Sequence, residues 1–135
     1  MIAVDTNVLV YARREDTARH ARARAIVQRL AEGSDPWAIP WPCVYDFLRV
    51  VTHPRVFDPP TELEAAIESL ESLFASPTLV LLGESPAHRG HLRRIVVEGR
   101  AVGNLVHDAH IAALAIEHGV RELIEGFSLK ALRRI

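Results

Sequence analysis

An aspartate directly after the first apolar run is the first residue of the chain whose position suggests chemistry. The run Ile2-Ala3-Val4 is typical of a buried strand in a parallel sheet, and Asp5 follows it. In open parallel sheets, ligands bind just beyond the carboxyl ends of the strands, where Asp5 would stand. Aspartate is also a favoured N-cap, and a helix is predicted from Val8 to Arg13. This segment alone supports a helix cap and an active-site carboxylate equally.

Asp108 is a second candidate carboxylate, on a helix that is predicted to begin at Asn104. At 100° per residue its neighbours within about 60° are mostly apolar: Leu105, Ile111, Ala112 and Ala115, with Asn104 one turn earlier. An ionised carboxylate on an apolar face is unfavourable unless it is paired or coordinates a cation. We therefore favour a site residue over the alternatives, which are a pair with Asn104 or a histidine and a favourable interaction with the helix dipole.

Asp46 is a third candidate, between Val50 and Arg49 at the border of the apolar and polar faces of its predicted helix. Taken alone, it is better explained as a surface pair with Arg49, worth a few tenths of a kcal/mol. The two other candidate carboxylates make Asp46 a site candidate as well, because Asp5 follows a strand and Asp108 lies near the start of a helix. Three carboxylate donors without a cysteine or histidine motif favour Mg²⁺ or Mn²⁺ over zinc.

Histidine spacing and the other catalytic motifs point to no competing chemistry. His107 and His110 flank Asp108, and His88 and His91 show the same spacing, but no His-Glu-x-x-His pattern occurs. We therefore expect no zinc site and interpret His107 as a solvated group or a partner of a metal ligand. No nucleophile elbow or phosphate-binding P-loop is present, which argues against acyl transfer and P-loop hydrolysis.

Composition is that of a single compact domain, predicted over residues 1–135. The chain is 49% hydrophobic and 24% charged, with a net charge of −1. A nearly balanced charge excludes a general nucleic-acid binder, so any phosphate binding must be local. No apolar run is long enough to cross a membrane, no secretory signal is indicated, and we expect a cytoplasmic protein. The only cysteine, Cys43, is expected to be a small buried hydrophobe.

Strands and helices are predicted to alternate along the chain. Strands are expected at residues 2–4, 37–39, 78–82 and 122–124. Helices are expected over 8–13, from a cap at Asp16 or Thr17 to 33, over 44–51, from a Thr61–Glu64 capping box to 74, from 85 to 99, and from 104 to 119. Connections of this length require right-handed crossovers, so the predicted class is α/β with a small, mostly parallel sheet flanked by helices.

At the residues that carry this chemistry, the sequence resembles the PIN-domain ribonucleases, and in particular the VapC toxins of type II toxin–antitoxin systems. The similarity covers about residues 1–124. It is carried by three segments: Val-Asp-Thr-Asn-Val-Leu-Val-Tyr at 4–11, Pro-Trp-Pro at 40–42 with Tyr-Asp-Phe-Leu at 45–48 and Val-Thr-His-Pro at 51–54, and Gly-Asn-Leu-Val-His-Asp-Ala at 103–109 with Ile-Ala-Ala-Leu-Ala at 111–115.

The resemblance implies a PIN-like three-layer fold and a Mg²⁺-dependent endoribonuclease, with Mn²⁺ as an alternative ion. Its catalytic residues would be Asp5, Asp46, Asp108 and Glu125, of which the three aspartates would hold the metal, Asp46 directly or through water. The resemblance further implies an RNA substrate, a homodimer, and a VapB-like antitoxin whose tail occupies the cleft.

Two side chains next to Asp5 are expected to support this chemistry. Thr6 could position the first ligand or a phosphate oxygen, and Asn7 would brace Asp5 by hydrogen bonding.

Two departures from the family pattern leave alternatives open. Asp46 stands where a glutamate is common, and the segment 121–128 replaces a Thr-x-Asp-x-Asp-Phe motif, leaving Glu125 as the substitute carboxylate. The second departure favours an alternative, a PIN-like domain that binds antitoxin or RNA without efficient cleavage. A phosphatase with Asp5 as nucleophile is disfavoured, because Asn7 replaces the acid–base aspartate of its motif.

Overall fold

A mostly parallel five-stranded sheet lies at the centre of the structure, in the order β3-β2-β1-β4-β5. The computed structural model describes residues 1–125 and the backbone of residues 128–131. The strands are β1 (Ile2–Val4), β2 (Trp37–Pro40), β3 (Leu79–Leu82), β4 (Glu122–Glu125) and β5 (Ser128–Ala131). Strand β1 pairs in parallel with β2 and β4, β2 pairs in parallel with β3, and only β5 is antiparallel. The predicted α/β class is confirmed.

Helices connect the strands in the predicted order. Within the described residues they are α1 (Thr6–Arg13), α2 (His20–Glu32), α3 (Trp41–Val51), α4 (Leu63–Phe74), α5 (His88–Glu98) and α6 (Leu105–Glu117). Helix α3 begins three residues earlier than predicted, because Pro42 occupies its first turn, where the missing N–H needs no partner. None of the described helices is long and apolar enough to cross a membrane.

Arg14 contacts all three side chains that were predicted to cap helices α2 and α4. It donates to the Asp16 carboxylate at 2.9 Å, its carbonyl accepts from the Thr17 hydroxyl, and its guanidinium donates to the Thr61 hydroxyl. The predicted caps, including the Thr61–Glu64 capping box, are therefore wrong, and neither helix has a side-chain cap at its N-terminus. Arg14 competes for these groups, locally for Asp16 and Thr17 and through a long-range contact for Thr61.

The hydrophobic core lies along β1 and β2 and the helices that cover them. Trp37, Phe47 and Leu114 are essentially fully buried in it. Helix α5 is peripheral, because it packs on α6 through a small separate cluster of Ile95, Ala109 and Ala113. The fold therefore has a main hydrophobic core around the sheet and a second, smaller one between α5 and α6.

Two positions on the same face of β3 should differ in their contribution to stability. Leu82 is fully buried and Val80 is 39% exposed on the same strand. We expect Leu82→Ala to lower the free energy of unfolding by about 2–5 kcal/mol, since it leaves a cavity. The matched control, Val80→Ala, should lower it by less than about 1 kcal/mol. Urea unfolding followed by circular dichroism measures both, and equal losses would contradict this assignment of the core.

Candidate active site

Asp5 is both a helix cap and the residue at the carboxyl end of β1. Its side chain accepts a hydrogen bond from the Val8 N–H at 3.3 Å and caps α1, which begins at Thr6 rather than at the predicted Val8. Its own N–H donates to the carbonyl of Ile124 in the adjacent strand β4 at 3.2 Å. The two interpretations that the sequence left open are therefore compatible. The cap orients the carboxylate at the end of the sheet where the strand places it.

Glu125 ends β4 at the same edge of the sheet. Because Val4 pairs with Ile124 in parallel register, the backbone of Glu125 adjoins that of Asp5. Gly126 and Phe127, which follow it in the segment that departs from the family motif, lie outside the described residues. A carboxylate is thus present at the carboxyl end of the strand next to β1.

Asp46 lies on α3, which follows β2 without a connecting loop. Its carboxylate accepts a hydrogen bond from Arg49 Nε at 3.0 Å, so the predicted surface pair does form. Its second oxygen, Oδ2, is 3.8 Å from Nε2 of His107 on α6. Asp46 therefore spans the space between α3 and the first turn of α6, with a cationic guanidinium at its side.

Asp108 is exposed, and the prediction that it lies on a covered apolar face is wrong. The first turn of α6 is open to solvent, including Leu105 at 52% exposure, and burial begins only at Ala109. The apolar residues of α6 begin at Leu105, but other parts of the fold cover the helix only from Ala109 onward. Helical periodicity therefore wrongly predicted a covered environment for Asp108. Asp108 nevertheless follows His107, whose ring faces Asp46, and so belongs to the turn that lies against α3.

The three aspartates do not form a single set of ligand atoms in this structure. Their oxygens do not all lie within 4.8 Å of one another, although all three side chains are in the described part of the chain. Direct Mg²⁺ ligands lie about 2.0–2.1 Å from the ion, so at least one of the three must bind through water in this arrangement. The donor chemistry fits, since Mg²⁺ prefers carboxylate oxygens and retains several waters.

Cys43 is a buried group beneath two of these carboxylates. The pKa of its thiol is raised to about 12, mainly by burial and further by the negative charges of Asp5 and Asp46, with the Thr6 hydroxyl acting in the opposite direction. Both carboxylates thus lie close enough to act on one thiol. The Thr6 hydroxyl is buried and forms no hydrogen bond of favourable geometry with the described residues, whereas Asn7 is exposed. Cys43 is a protonated core residue, as predicted.

A cleft of about 550 Å³ opens beside Asp46. Its walls combine aromatic rings, a guanidinium and imidazoles, from Trp41, Pro42, Tyr45, Asp46, Arg49, Glu84, His107 and His110. The Trp41 and Tyr45 ring centroids are 6.0 Å apart, and Tyr45 is 66% exposed. An aromatic surface next to a cation and a carboxylate can bind a base and a phosphate together.

Sequence reasoning missed a second group of polar side chains at this cleft. It paired the histidines within each helix, at i and i+3, whereas the structure brings His88 of α5 to His110 of α6, with ring centroids 5.4 Å apart. Glu84 joins them from the segment after β3. These residues are far apart in the sequence, so no local spacing could have revealed the group.

Comparison with protein families decides the relationship of this chain. The family model of the PIN domain matches residues 2–127. The chain belongs to the PIN-domain family. The PIN domain described here is also similar to curated relatives over its length. Ribonuclease VapC43 of Mycobacterium tuberculosis is 36% identical over 135 residues, which are 100% of this chain and 92% of that protein. Ribonuclease VapC48 of the same organism is 34% identical over 116 residues, 86% and 80% of the two chains.

Solved structures agree with the fold. This PIN domain superposes with a TM-score of 0.65 on VapC20 of Mycobacterium tuberculosis, described as a Sarcin-Ricin loop cleaving toxin, at 14% identity over 91% of this chain and 87% of that one. The TM-score is also 0.65 with VapBC2 of Rickettsia felis bound to a DNA fragment from its promoter, at 20% identity over 93% and 87% of the chains. Identities this low support the fold alone, and the predicted PIN-like fold is confirmed.

The buried thiol should make stability fall at alkaline pH. The pKa of Cys43 is about 12 in the folded chain and near 9.0 when unperturbed, so the unfolded chain loses this proton first as pH rises. The stabilisation is complete below pH 9 and declines towards pH 12, by about 1.4 kcal/mol per pH unit.

We therefore expect the parent to lose about 2 kcal/mol more than Cys43→Ala between pH 8 and pH 10.5. Urea unfolding at the two pH values measures this difference, and the variant controls for every other titrating group. Equal pH dependence in the two proteins would show that the thiol is not held protonated.

Proposed function

We propose that this PIN domain is a Mg²⁺-dependent endoribonuclease, the toxin of a type II toxin–antitoxin pair. The observation that carries the proposal is the convergence of Asp5 and Asp46 above the Cys43 thiol, at the carboxyl edge of a parallel sheet and beside an open cleft. The names of its VapC relatives support the same activity. A site of hard oxygen donors next to a cationic, aromatic cleft suits the cleavage of a phosphodiester.

Asp5 and Asp108 would hold the metal directly, and Asp46 would hold it through water. This assignment follows from Asp46 being engaged by Arg49, since the three carboxylates do not form one group of ligand atoms within 4.8 Å. Glu125, adjacent to Asp5 in the sheet, would add negative charge or a further ligand. When bound, Mg²⁺ would lower the pKa of a coordinated water and stabilise the charge that develops on the leaving oxygen.

Arg49 and the aromatic rings of the cleft would bind the RNA. A guanidinium can donate two parallel hydrogen bonds to a phosphate, and Arg49 is exposed beside Asp46. Exposed bases of single-stranded RNA stack on aromatic side chains, and Trp41 and Tyr45 provide such a surface. Asn7 would brace Asp5 or contact a phosphate, and Thr6 would support Asp5 from the buried side.

The proposed partners are a VapB-like antitoxin and a second copy of the chain. Helix α4 carries an exposed apolar stripe of Leu63, Ile67 and Phe74, and Trp41 packs against Phe74 at 6.1 Å between ring centroids. An amphipathic antitoxin helix would cover this stripe and direct its tail into the adjacent cleft. The homodimer is proposed from the family resemblance.

A second candidate is a PIN domain that binds antitoxin or RNA but cleaves poorly. The observation that favours it is the substitution of Glu125 for the aspartates of the family segment. The two candidates differ only in catalysis, so the same assay separates them.

Cleavage of RNA should require Mg²⁺ and both directly bound carboxylates. We expect the purified, antitoxin-free chain to cut structured RNAs in Mg²⁺ and not in EDTA. Asp5→Asn and Asp108→Asn should each lower the cleavage rate at least about 1,000-fold, because each removes a metal ligand. Asp35→Asn is the matched control, since Asp35 is exposed and precedes β2, whereas the proposed site lies at the carboxyl ends of the strands. Gel-resolved cleavage of end-labelled RNA measures the rates.

Three results would contradict the endoribonuclease. Binding of Mg²⁺ without cleavage would support the weakened domain. Hydrolysis of a small phosphomonoester, with Asp5 phosphorylated, would support the phosphatase. Unchanged Mg²⁺ binding in calorimetric titrations of both variants would show that the aspartates are not the site.

Asp46 should contribute less to the rate of RNA cleavage than the other two aspartates if it binds the metal through a water molecule. We expect Asp46→Asn to lower the cleavage rate about 10–100-fold, the range typical of groups that bind a metal indirectly. A loss as large as that of Asp5→Asn would instead identify Asp46 as a direct ligand. Far-UV circular dichroism checks that each variant remains folded.

A further inference from the structure

A second group of metal-binding side chains lies beside the acidic site and shares no residue with it. Glu84, His88 and His110 each offer one ligand atom, and these atoms lie within 4.8 Å of one another. Nε2 of His110 is 3.0 Å from Glu84 Oε1. The three residues come from the segment after β3, from α5 and from α6. The fold therefore gathers two imidazoles and a carboxylate from three elements.

Glu117 orients the imidazole of His88 by a hydrogen bond. Its side chain is fully buried, and its Oε2 is 2.8 Å from Nδ1 of His88. Its other oxygen accepts from the Ser85 N–H at 2.8 Å. Because Nδ1 of His88 faces Glu117, the other ring nitrogen, Nε2, is the one left to bind a metal.

We propose that Glu84, His88 and His110 form a binding site for Zn²⁺, distinct from the Mg²⁺ site of the aspartates. Two histidines and one carboxylate are a donor set that zinc prefers and Mg²⁺ does not. A carboxylate behind a ligating histidine, as Glu117 stands behind His88, is the usual support of such a ligand.

The distances fit a tetrahedral ion after a small closure. Zinc bonds of about 2.0–2.1 Å place neighbouring ligand atoms roughly 3.3 Å apart, close to the Glu84–His110 separation of 3.0 Å. The other separations are at most 4.8 Å, so the side chains must close by about 1.5 Å or less. Glu84 is exposed and can supply that movement by rotation of its side chain. Because Glu84 and His110 also line the cleft, water or a ligand in the cleft would complete the coordination.

Bound zinc would fasten α5 to the rest of the fold. Helix α5 packs on α6 through a small cluster of its own, apart from the main core. A metal joined to residues 84, 88 and 110 would add a link between α5, α6 and the segment after β3. Since the folded chain alone presents this arrangement, zinc should raise the melting temperature in proportion to its binding.

The test is a calorimetric titration of the untagged, chelator-treated chain with ZnCl₂. We expect one zinc per chain and a raised melting temperature. His110→Gln and Glu84→Gln should each weaken the affinity more than about 100-fold, and Glu117→Gln should weaken it about 10–100-fold through His88. His91→Gln is the matched control, because His91 lies on α5 close to His88 but outside the group. It should bind zinc like the parent. Co²⁺ in place of zinc should give the intense visible absorption of a tetrahedral ion in the parent and not in His110→Gln.

Two variants separate this proposal from the aspartate site. Asp5→Asn and Asp108→Asn should retain zinc binding, whatever they do to RNA cleavage. Loss of zinc binding in these variants would place the ion at the acidic site and overturn the proposal. The proposal would also be overturned if the parent gave no heat of zinc binding, or if the parent, His110→Gln and Glu84→Gln bound zinc with equal affinity. Either result would show that the three side chains form hydrogen bonds only. Melting temperatures measured in EDTA show whether each variant is folded.

Discussion

The parallel pairing of β1 with β2 on one side and β4 on the other is the constraint on which the site depends. It brings the carboxyl ends of three strands to one edge, so the residues that follow them must lie together. Asp5 follows β1, Glu125 ends β4, and α3 with Asp46 begins where β2 ends. The hydrogen bond from the Asp5 N–H to Ile124 fixes this edge, and the cap on α1 then orients the carboxylate.

At this edge of the sheet, the charged carboxylates are partly accessible to solvent, whereas the buried group next to them is neutral. Cys43 is fully buried, and its high pKa keeps the thiol neutral under Asp5 and Asp46. A neutral thiol adds no further negative charge to a site where carboxylates already repel one another. The Arg49 guanidinium flanks Asp46 and offsets part of that repulsion. A cation would offset more of it, which is the physical reason that such an edge attracts a metal ion.

The walls of the cleft include Asp46 together with Glu84 and His110, which belong to two groups of donors with different chemistry. The aspartates are hard oxygen donors, whereas Glu84, His88 and His110 combine an oxygen with two nitrogens. They are supported differently as well, because Asp5 is oriented by a helix cap and His88 by a buried glutamate. The α5–α6 pair thus has its own packing and its own polar network, next to the cleft that Asp46 lines.

The sequence by itself determined the α/β class, the order of the elements and the position of Asp5 after the first strand, because strand patterns, breakers and the family segments are local signals. It misplaced Asp108 and the caps at Asp16, Thr17 and Thr61. The layers that cover α6 decide the exposure of Asp108, and Arg14 engages Asp16 and Thr17 locally and Thr61 across 47 residues of sequence. Only the tertiary structure placed Asp46 against His107 and His88 against His110. Contacts between separate helices depend on how the helices pack, and packing is a property of the whole chain.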